Sequence, residues 1–315
     1  AGGLTATPDN PDVEETVTYA PNGKIVPVDP NGTPIPGADT PTYPTDPNDP
    51  TKVVPNEPIP DVPGYTPVDP SPVTPADPGK DTPVPYVQVV TGTIKYIDDT
   101  TGKTLSSSDL PSGKVGSTIN YTTADKIKTY EDQGYELVSN DFTDGSQVYE
   151  KTGNDFVVHL KHKTQTITPN DPNPVTPGQP INPNDPDSPV YPTDADRNNL
   201  VKDATQTIHY VGAGDKTPTD KVQNQKDAFT RTVIIDKVTG EVISMSDWEG
   251  TKTFGTENTP VIDGYHADKK VAGGLTATPD NPNVEETVTY APNGKLIPVD
   301  PNGNPIPGAD TPTYP

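Results

Sequence analysis

The side chains able to take part in catalysis or metal binding are few, and their spacing is not that of an active site. The four histidines are His159, His162, His209 and His266. His159 and His162 belong to one expected strand, where an odd separation places side chains on opposite faces of the sheet. They cannot share a metal ion without a bulge, so we interpret all four histidines as surface or half-buried sheet residues.

Two glycines after an expected strand partly match a dinucleotide-binding loop. Gly212 and Gly214 have the first spacing of that motif, but Thr217 stands where the third glycine would be. Pro218 interrupts the helix start that would hold a phosphate. The chain also contains no Gly-x-Ser-x-Gly elbow, P-loop or His-Glu-x-x-His motif. The sequence therefore predicts a non-enzymatic protein, with no catalytic residue, no metal and no cofactor.

Two acidic turns bear a faint likeness to a calcium loop. Asp29-Pro30-Asn31-Gly32 recurs as Asp300-Pro301-Asn302-Gly303. Each lacks the closing bidentate glutamate of an EF-hand loop and carries proline at its second position. We therefore predict a plain β-turn at both places.

Aromatic side chains are the candidate ligand contacts. Sugar rings present C–H faces that pack on Tyr and Trp, while their hydroxyls exchange hydrogen bonds with Asp, Asn and Thr. On this basis three residues are candidates: Trp248, Tyr210 and Tyr265. Polar neighbours are compatible with exposure of Trp248, but the favoured interpretation is the core tryptophan of a small β domain. For Tyr210 and Tyr265 the sequence leaves both core and surface positions open.

Charge and composition exclude several classes of partner. The 45 acidic and 22 basic residues give a net charge of −23, which repels nucleic acid and acidic membrane surfaces. The absence of cysteine excludes disulfides, zinc–cysteine sites and thiol nucleophiles. Apolar runs are short, such as Val233–Ile235, so we expect no membrane insertion. The first residues lack a signal-peptide pattern, and we expect a segment of a longer protein.

Proline divides the chain into dense and sparse parts. Of 43 prolines, 20 fall in residues 21–85 and nine in 167–195, but only one falls in 86–163. Proline fixes φ, lacks an N–H donor and biases its predecessor toward extended geometry. We therefore predict Pro-rich extended linkers at 21–85 and 167–195, rising ~3.1 Å per residue as polyproline II. Folded modules are predicted at 86–166 and 196–290.

A long repeat joins the two ends of the chain. Residues 1–44 recur as 272–315 with 40 of 44 positions identical, as expected for a tandem array of large units. Glu285–Tyr290 alternates like a strand and would close the second module. Its twin, in residues 1–20, would be the C-terminal strand of a preceding repeat, so we expect it to lack partners. Residues 291–315 would begin a further linker.

The pattern of residues 86–166 predicts a β-grasp, ubiquitin-like sheet crossed by one helix. An alternating strand at 93–97 is followed by the turn Asp98–Lys103, in which Gly102 suits a positive φ. Thr122 can cap a helix that Gly134 ends. Strands return at 135–138 and 156–163.

Residues 196–290 predict a small β-rich module. Strands are expected at 207–211, 229–236, 241–244 and 287–290. Asp236–Glu241 repeats the turn of the first module, and Lys221–Ala228 has room for one or two helical turns. The predicted fold class is α+β and mainly β, arranged as elongated beads on a string.

Several segments resemble a known family, the mucus-binding (MucBP/Mub) repeats of lactobacilli. The first domain of those repeats is similar to Ile97–Lys103, Asp132–Ser139 and Val158–Thr164. The second domain is similar to Thr207–Val211, Phe229–Thr232, Val238–Val242 and the pair Gly264-Tyr265. These matches extend over most of both predicted modules and follow the family's order and spacing.

The resemblance implies an extracellular adhesin, anchored in the cell wall of a Gram-positive bacterium, that binds host mucin glycoproteins. It supplies no binding residues. We expect a monomer whose modules bind weakly and gain avidity from copy number. Two alternatives stay open: a passive stalk that projects a distal binding head, and a binder of a host protein such as immunoglobulin.

Overall fold

The computed structural model describes residues 3–185 and 187–315. The chain forms two compact units, one made of residues 1–128 and 137–161 and the other of residues 129–136 and 162–315. Strands predominate, and the described residues contain one α-helix. In this described part of the chain, no helix is both long enough and apolar enough to cross a membrane.

The strands of the N-terminal half form two sheets and a small hairpin. In chain order they are β1 (Ile25–Val28), β2 (Thr45–Asp46), β3 (Asp49–Val53), β4 (Tyr65–Pro67), β5 (Thr82–Val90), β6 (Thr93–Asp98), β7 (Lys103–Asp109), β8 (Gly113–Lys114), β9 (Tyr135–Asn140) and β10 (Asp155–His162), with helix α1 (Ala124–Asp132) between β8 and β9. One sheet has the order β1-β5-β4, with β8 also paired to β5, and the other has the order β7-β6-β10-β9. Strands β2 and β3 form the hairpin.

Residues 21–85 are folded, so the prediction of an extended linker there is wrong. Strand β1 pairs in parallel with β5, from Ile25↔Thr82 to Val28↔Pro85. Strand β4 pairs with β5 in the antiparallel sense. Seven widely spaced apolar side chains are buried together: Ile25, Ile35, Tyr43, Val53, Val62, Val84 and Tyr86. Six of these seven residues belong to the Pro-rich segment, and with Tyr86 they form a separate core.

Proline is compatible with this fold because it occupies positions whose N–H is not needed. Along β5, exposed Pro83 and Pro85 alternate with buried Val84 and Tyr86, as in any strand with one buried face. At both prolines β5 is in register only with β1, and its register with β4 begins at Tyr86. A strand tolerates proline where it has an open edge. Proline also restricts the unfolded chain, which reduces the entropy lost on folding.

The second sheet has a parallel pair of strands at its centre. Strand β6 pairs in parallel with β10 and antiparallel with β7. Four side chains of the central strands are fully buried: Ile94, Tyr96, Val158 and Leu160. The predicted turn between β6 and β7 is confirmed, because the Asp98 carboxylate accepts hydrogen bonds from the Thr100 N–H (2.9 Å) and the Thr101 hydroxyl (2.6 Å). Gly102 has the expected positive φ, +73°.

Helix α1 is capped mainly by a distant carboxylate and only weakly by Thr122, whose hydroxyl oxygen is 3.4 Å from the Ala124 nitrogen. The Asp144 carboxylate accepts hydrogen bonds from the Thr122 hydroxyl (2.7 Å) and from the N–H groups of Thr123 (2.9 Å) and Ala124 (3.3 Å). Burial alone would raise the pKa of Asp144. The hydrogen bonds together outweigh burial and lower that pKa below its usual value.

We expect Asp144→Ala to lower the free energy of unfolding of this module by about 1 kcal/mol, the usual cost of losing a cap. A carboxylate with a lowered folded-state pKa stabilises the fold above its unfolded pKa of about 4, and this contribution is lost as the pH falls through the folded pKa. Urea unfolding should therefore separate variant and parent at about pH 7, and the difference should shrink as the pH falls below the unfolded pKa of about 4. The exposed neighbour Asp141 provides the control Asp141→Ala. A difference that stays constant with pH would contradict the assigned role.

The C-terminal half is built from strands only, apart from three short 3-10 turns at Thr193–Ala195, Arg197–Asn199 and Gly214–Lys216 in the described residues. In chain order the strands are β11 (Thr164–Ile167), β12 (Val201–Val211), β13 (Lys221–Thr230), β14 (Val233–Asp236), β15 (Val242–Met245), β16 (Lys252–Thr253), β17 (Thr256–Asn258), β18 (Tyr265–Ala267), β19 (Val271–Gly273), β20 (Thr276–Ala277) and β21 (Asn283–Pro292). One sheet has the order β11-β14-β15, the main sheet has the order β13-β12-β21-β18, and β16-β20 and β17-β19 are two-stranded.

Two further expectations are corrected in this half. Residues 167–195 are not an extended spacer, because Ile167, Ile181 and Ala195 are buried with apolar side chains of the following strands. Lys221–Ala228 is part of strand β13 and is not helical. Its pairing with β12 supplies backbone hydrogen bonds that override a weak local preference.

The predicted closing strand is confirmed and is longer than expected. Strand β21 lies between β12, to which it is parallel, and β18, to which it is antiparallel. Its Val288 and Tyr290 are buried, whereas their twins in the first copy, Val17 and Tyr19, are exposed, Tyr19 to 86%. The described residues 3–20 contain no strand. The same sequence thus becomes a strand where β12 and β18 are available as partners.

Candidate ligand-binding site

Tyr265 begins strand β18 at a tight turn. Gly264 precedes it with a φ of +82°, and the Gly264 carbonyl accepts a hydrogen bond from the Asn293 N–H (2.9 Å). The Tyr265 N–H donates to the Ile262 carbonyl (3.1 Å). Strand β18 also pairs with the end of β21, from Tyr265↔Pro292 to Ala267↔Tyr290. The half-buried Tyr265 is therefore fixed at a defined place on the edge of the main sheet.

An open cleft of about 290 Å³ lies beside Tyr265. We call it the Tyr265 cleft, and its lining includes Pro260, Val261, Ile262, Tyr265, His266, Lys269, Lys270 and Tyr290. The Tyr290 hydroxyl donates to the Pro260 carbonyl (2.7 Å), which ties the loop before Tyr265 to strand β21. Val261 is 99% exposed, so this loop holds one apolar side chain fully in solvent.

Positive charge at the cleft contrasts with the acidic chain. Lys269 is paired, because its Nζ is 2.8 Å from Glu286 Oε1 and 3.0 Å from the Thr287 carbonyl oxygen. The hydrogen bond between the two side chains raises the pKa of Lys269 and lowers the pKa of Glu286. Lys270 is exposed at the rim. The cleft thus combines an aromatic ring, an apolar tip and the exposed Lys270 ammonium, while the Lys269 charge is balanced by Glu286; this combination suits a polar or acidic ligand.

Tyr265 also lines a second open cleft, of about 520 Å³. Lys216, Asn293 and Lys295 are part of this lining. The Lys216 ammonium donates to the Asp263 carbonyl (3.2 Å), within the loop that precedes Tyr265. One aromatic side chain therefore borders two clefts that both carry lysines.

Sequence reasoning selected Tyr265 but missed the loop that precedes it. Pro260-Val261-Ile262-Asp263-Gly264-Tyr265 has a counterpart in Pro60-Asp61-Val62-Pro63-Gly64-Tyr65. In both copies a tyrosine hydroxyl donates to the carbonyl of the first proline, from Tyr290 (2.7 Å) and from Tyr86 (2.5 Å). The shared pattern Pro-x-[Val/Ile]-x-Gly-Tyr was the available signal for a folded loop at each position.

Two family models match the chain, one after the other. The model described as a mucin binding domain matches residues 90–162, and the model described as a Muc B2-like domain matches residues 195–294. The chain belongs to the mucus-binding repeat family. The Tyr265 cleft of this mucus-binding repeat lies within the Muc B2-like part. Repeats of this family are non-enzymatic binding domains of extracellular surface adhesins.

Solved structures of similar repeats include the crystal structure of Mub-RV, which is 31% identical in sequence to this chain. The match covers 64% of this chain and 98% of the Mub-RV chain, with a TM-score of 0.46. A type 2 repeat of the mucus binding protein MUB from Lactobacillus reuteri has 26% identity, 64% and 99% coverage, and a TM-score of 0.40. A MucBP domain from Lactobacillus acidophilus has 36% identity, 30% and 93% coverage, and a TM-score of 0.25. A comparison with curated proteins gave no match.

Trp248 of the mucus-binding repeat is half-buried and already in contact with cations. Lys202 Nζ is 4.3 Å from the centroid of its ring, and Arg231 Cζ is 4.5 Å away, both within the range of cation–π attraction. The ring also packs against the buried cluster that contains Ala204 and Phe229. Because these residues already contact the Trp248 ring, less of its surface is available to a ligand than in a tryptophan that is free on the surface.

Tyr210 is the sequence candidate that the structure removes from the surface. It is only 6% exposed, and its ring centroid is 6.4 Å from that of Tyr290. Burial raises the pKa of the Tyr210 hydroxyl. Strand β12 directs Tyr210 into the core together with Ile208, so its ring is not offered to a ligand.

The histidines of the mucus-binding repeat are each paired with an acidic or amide side chain. His159 is 2.7 Å from Asp99, His162 is 2.5 Å from Asp236, His209 is 2.6 Å from Asp220 and His266 is 3.1 Å from Asn293. Across residues 3–185 and 187–315, no three His, Cys, Asp or Glu side chains group as metal ligands would.

The acidic turns are closed by their own aspartates. Asp29 Oδ1 accepts the N–H groups of Asn31 (2.8 Å) and Thr33 (2.9 Å), and Asp300 does the same for Asn302 and Asn304. The hydrogen bonds lower the pKa of Asp29 and of Asp300. Both stretches are therefore turns, as predicted.

Proposed function

We propose that this chain is part of a cell-wall-anchored adhesin of a Gram-positive bacterium, and that its Tyr265 cleft binds mucin glycans. The observation that carries the proposal is the cleft edge formed by the half-buried Tyr265 and the exposed Val261. This edge lies in the Muc B2-like part of a mucus-binding repeat, and mucin is the partner named in the description of the family model that matches residues 90–162.

The chemistry of the cleft fits a weak, sugar-directed contact. An aromatic ring packs on the C–H face of a sugar, while the exposed Lys270 ammonium attracts acidic sugar substituents. The cleft is open rather than enclosed, so it buries little of any ligand and each contact is weak. Linking several such contacts multiplies binding ~10²–10⁴-fold. Copies of the chain in tandem should therefore remain on a mucin surface much longer than a single copy.

We expect Tyr265→Ala to weaken binding to immobilised mucin by about tenfold, the effect of losing about 1.4 kcal/mol of aromatic contact. Binding is measured by surface retention over a range of protein concentrations, with deglycosylated mucin as the blank. The matched control is Tyr19→Ala, which removes an exposed tyrosine far along the chain from the cleft. Equal retention of the parent and the Tyr265→Ala protein would refute this site.

Glycosidase treatment separates this proposal from binding to a host protein. If retention survives complete removal of glycans, then the contact is with protein and not with sugar. If neither one copy nor a tandem array is retained on intact mucin, then the chain is a spacer.

We also propose that the module of strands β6–β10 and helix α1 is a β-grasp fold. The antiparallel hairpin β6–β7, the helix that follows it and the parallel pairing of β6 with β10 support this assignment. Backbone tracing of this module by NMR tests it, since a different order of strands would give different inter-strand contacts.

A further inference from the structure

The C-terminal copy of the repeat folds locally in the same way as the first copy. We call residues 293–315 the terminal segment and residues 22–44 the first-copy segment. In the terminal segment Leu296 N–H donates to the Pro312 carbonyl (2.9 Å) and Tyr314 N–H donates to the Gly294 carbonyl (2.9 Å). In the first-copy segment Ile25 donates to Pro41 (2.9 Å) and Tyr43 donates to Gly23 (3.0 Å). The two segments therefore present equivalent side chains from an equivalent backbone.

The side chains of the two segments differ sharply in exposure. Ile25 is 2% exposed and its twin Leu296 is 49% exposed. Tyr43 is 2% exposed and its twin Tyr314 is 50% exposed. Val28 and Ile35 are also buried, whereas their twins Val299 and Ile306 are exposed. The terminal segment thus displays an apolar face that the first-copy segment buries.

Residues 45–90 are what covers this face in the first copy. Strand β5 pairs with β1 through Thr82–Pro85, and Val53, Val62, Val84 and Tyr86 complete the shared core. Backbone contacts accompany the packing, since Gly23 N–H donates to the Pro78 carbonyl (2.8 Å) and Lys24 N–H donates to Asp81 Oδ1 (2.8 Å). This chain uses its own residues 45–90 for the first-copy segment, so the terminal segment needs another copy of them.

We propose that the terminal segment is a docking site for a polypeptide with the sequence of residues 45–90. The partner would add its Thr82–Pro85 stretch in parallel beside Leu296–Val299, a form of strand addition. It would bury Leu296, Val299, Ile306 and Tyr314. The two segments differ only at three positions, where Leu296, Ile297 and Asn304 replace Ile25, Val26 and Thr33. Two of these exchanges keep an apolar side chain, and Asn304 lies in the Asp300 turn, so the docking face is retained.

A pair of glycines distinguishes this docking from any other use of the apolar face. A Cβ on Gly23 would overlap the Lys80 carbonyl and lie 2.9 Å from the Asp81 nitrogen. A Cβ on Gly294 would meet nothing nearer than the Tyr314 ring at 3.6 Å. Neither glycine has a positive φ. Gly294→Ala should therefore leave the chain as it stands undisturbed but should prevent a 45–90 segment from docking.

The experiment uses the full chain and a synthetic peptide with the sequence of residues 45–90. Hydrogen exchange is followed by mass spectrometry, in which fragments of the two copies differ in mass because Ile297 and Asn304 replace Val26 and Thr33. We expect the peptide to slow exchange in the terminal segment by about tenfold or more. A peptide carrying Val84→Asp and Tyr86→Asp is the matched control and should give no protection.

In a second arm, the sequence of residues 45–90 is fused directly after Pro315. Docking is then intramolecular, so a high effective concentration makes a high concentration of free peptide unnecessary. Protection of the terminal segment in either arm, lost in the Gly294→Ala protein, supports the proposal. Absence of protection in both arms overturns it. Protection that persists in the Gly294→Ala protein also overturns it, because the docked partner would then not occupy the register seen in the first copy.

Discussion

Replacing Tyr43 with alanine is expected to destabilise residues 21–90 by about 3–5 kcal/mol, the usual cost of deleting a large aromatic side chain from a core. Tyr43 belongs to the small cluster that also contains Val53, Val84 and Tyr86. A core of seven side chains has few others to compensate for the loss. We therefore expect the Pro-rich part of the variant to unfold at lower urea concentration and to become sensitive to protease.

The chain supplies two matched controls for this experiment. Tyr314 has the same sequence surroundings but is half-exposed, so Tyr314→Ala should change the free energy of unfolding by less than about 0.5 kcal/mol. The buried Tyr43 hydroxyl has no hydrogen-bond partner among the described atoms. Tyr43→Phe should therefore cost nothing, since it removes an unpaired polar group. If Tyr43→Ala is as silent as Tyr314→Ala, then residues 21–85 are not folded around this core.

The Pro-poor parts of the chain were predictable because their signals are local. Strand β6, the Asp98 turn and strand β21 were each expected from residues adjacent in sequence. Alternation of apolar and polar residues favours a strand and a glycine favours a turn, and both signals lie within a few residues of the element they predict. The helical interpretation of Lys221–Ala228 failed because the pairing of β13 with β12 is a tertiary interaction that overrides local preference.

The prediction of extended linkers in the Pro-rich parts was wrong because the number of prolines in a long stretch does not show which positions they occupy. Proline density concealed the alternation of Pro83 and Pro85 with Val84 and Tyr86, which is itself a strand pattern. The six-residue pattern that ends at Tyr65 and recurs at Tyr265 also pointed to a folded loop in each half. This short pattern is a signal separate from the 44-residue repeat, which joins only the two ends of the chain.

The candidate site was only partly predictable, for a reason that lies in topology. Tyr210 lies near the end of strand β12 and Tyr265 begins strand β18, and the residues beside them in sequence leave both core and surface positions open. Tyr210 is buried because strand β21 brings Tyr290 against it. Tyr265 remains half-exposed because β18 is the last strand of its sheet. Which strand lies at the edge depends on contacts between residues far apart in sequence.

Gln206 is a polar residue in a position that strand alternation assigns to the core. It is fully buried in β12, on the same face as Ala204 and Ile208. Its side-chain amide donates to the Gly255 carbonyl (3.1 Å) and its carbonyl oxygen accepts the Leu275 N–H (2.9 Å). These partners are 49 and 69 residues away in sequence. The Leu275 N–H is therefore paired by this amide oxygen, whereas the Gly255 carbonyl also accepts a hydrogen bond from the Gly274 N–H (3.2 Å).

We expect Gln206→Leu to lower the free energy of unfolding of the C-terminal half by about 1–3 kcal/mol, because the Leu275 N–H loses its partner and the Gly255 carbonyl keeps only the Gly274 N–H, while the side-chain volume is nearly kept. Thermal unfolding measures this, with Gln225→Leu on the exposed part of β13 as the control expected to change little.

The Gln206→Leu and Tyr265→Ala variants together test whether binding depends on the folded sheet that carries the Tyr265 cleft. Gln206→Leu should lose mucin retention only at temperatures where it unfolds, whereas Tyr265→Ala, whose half-buried ring packs on the core, should lose retention also at temperatures where it is fully folded. Retention that survives unfolding of the sheet would separate mucin binding from the cleft.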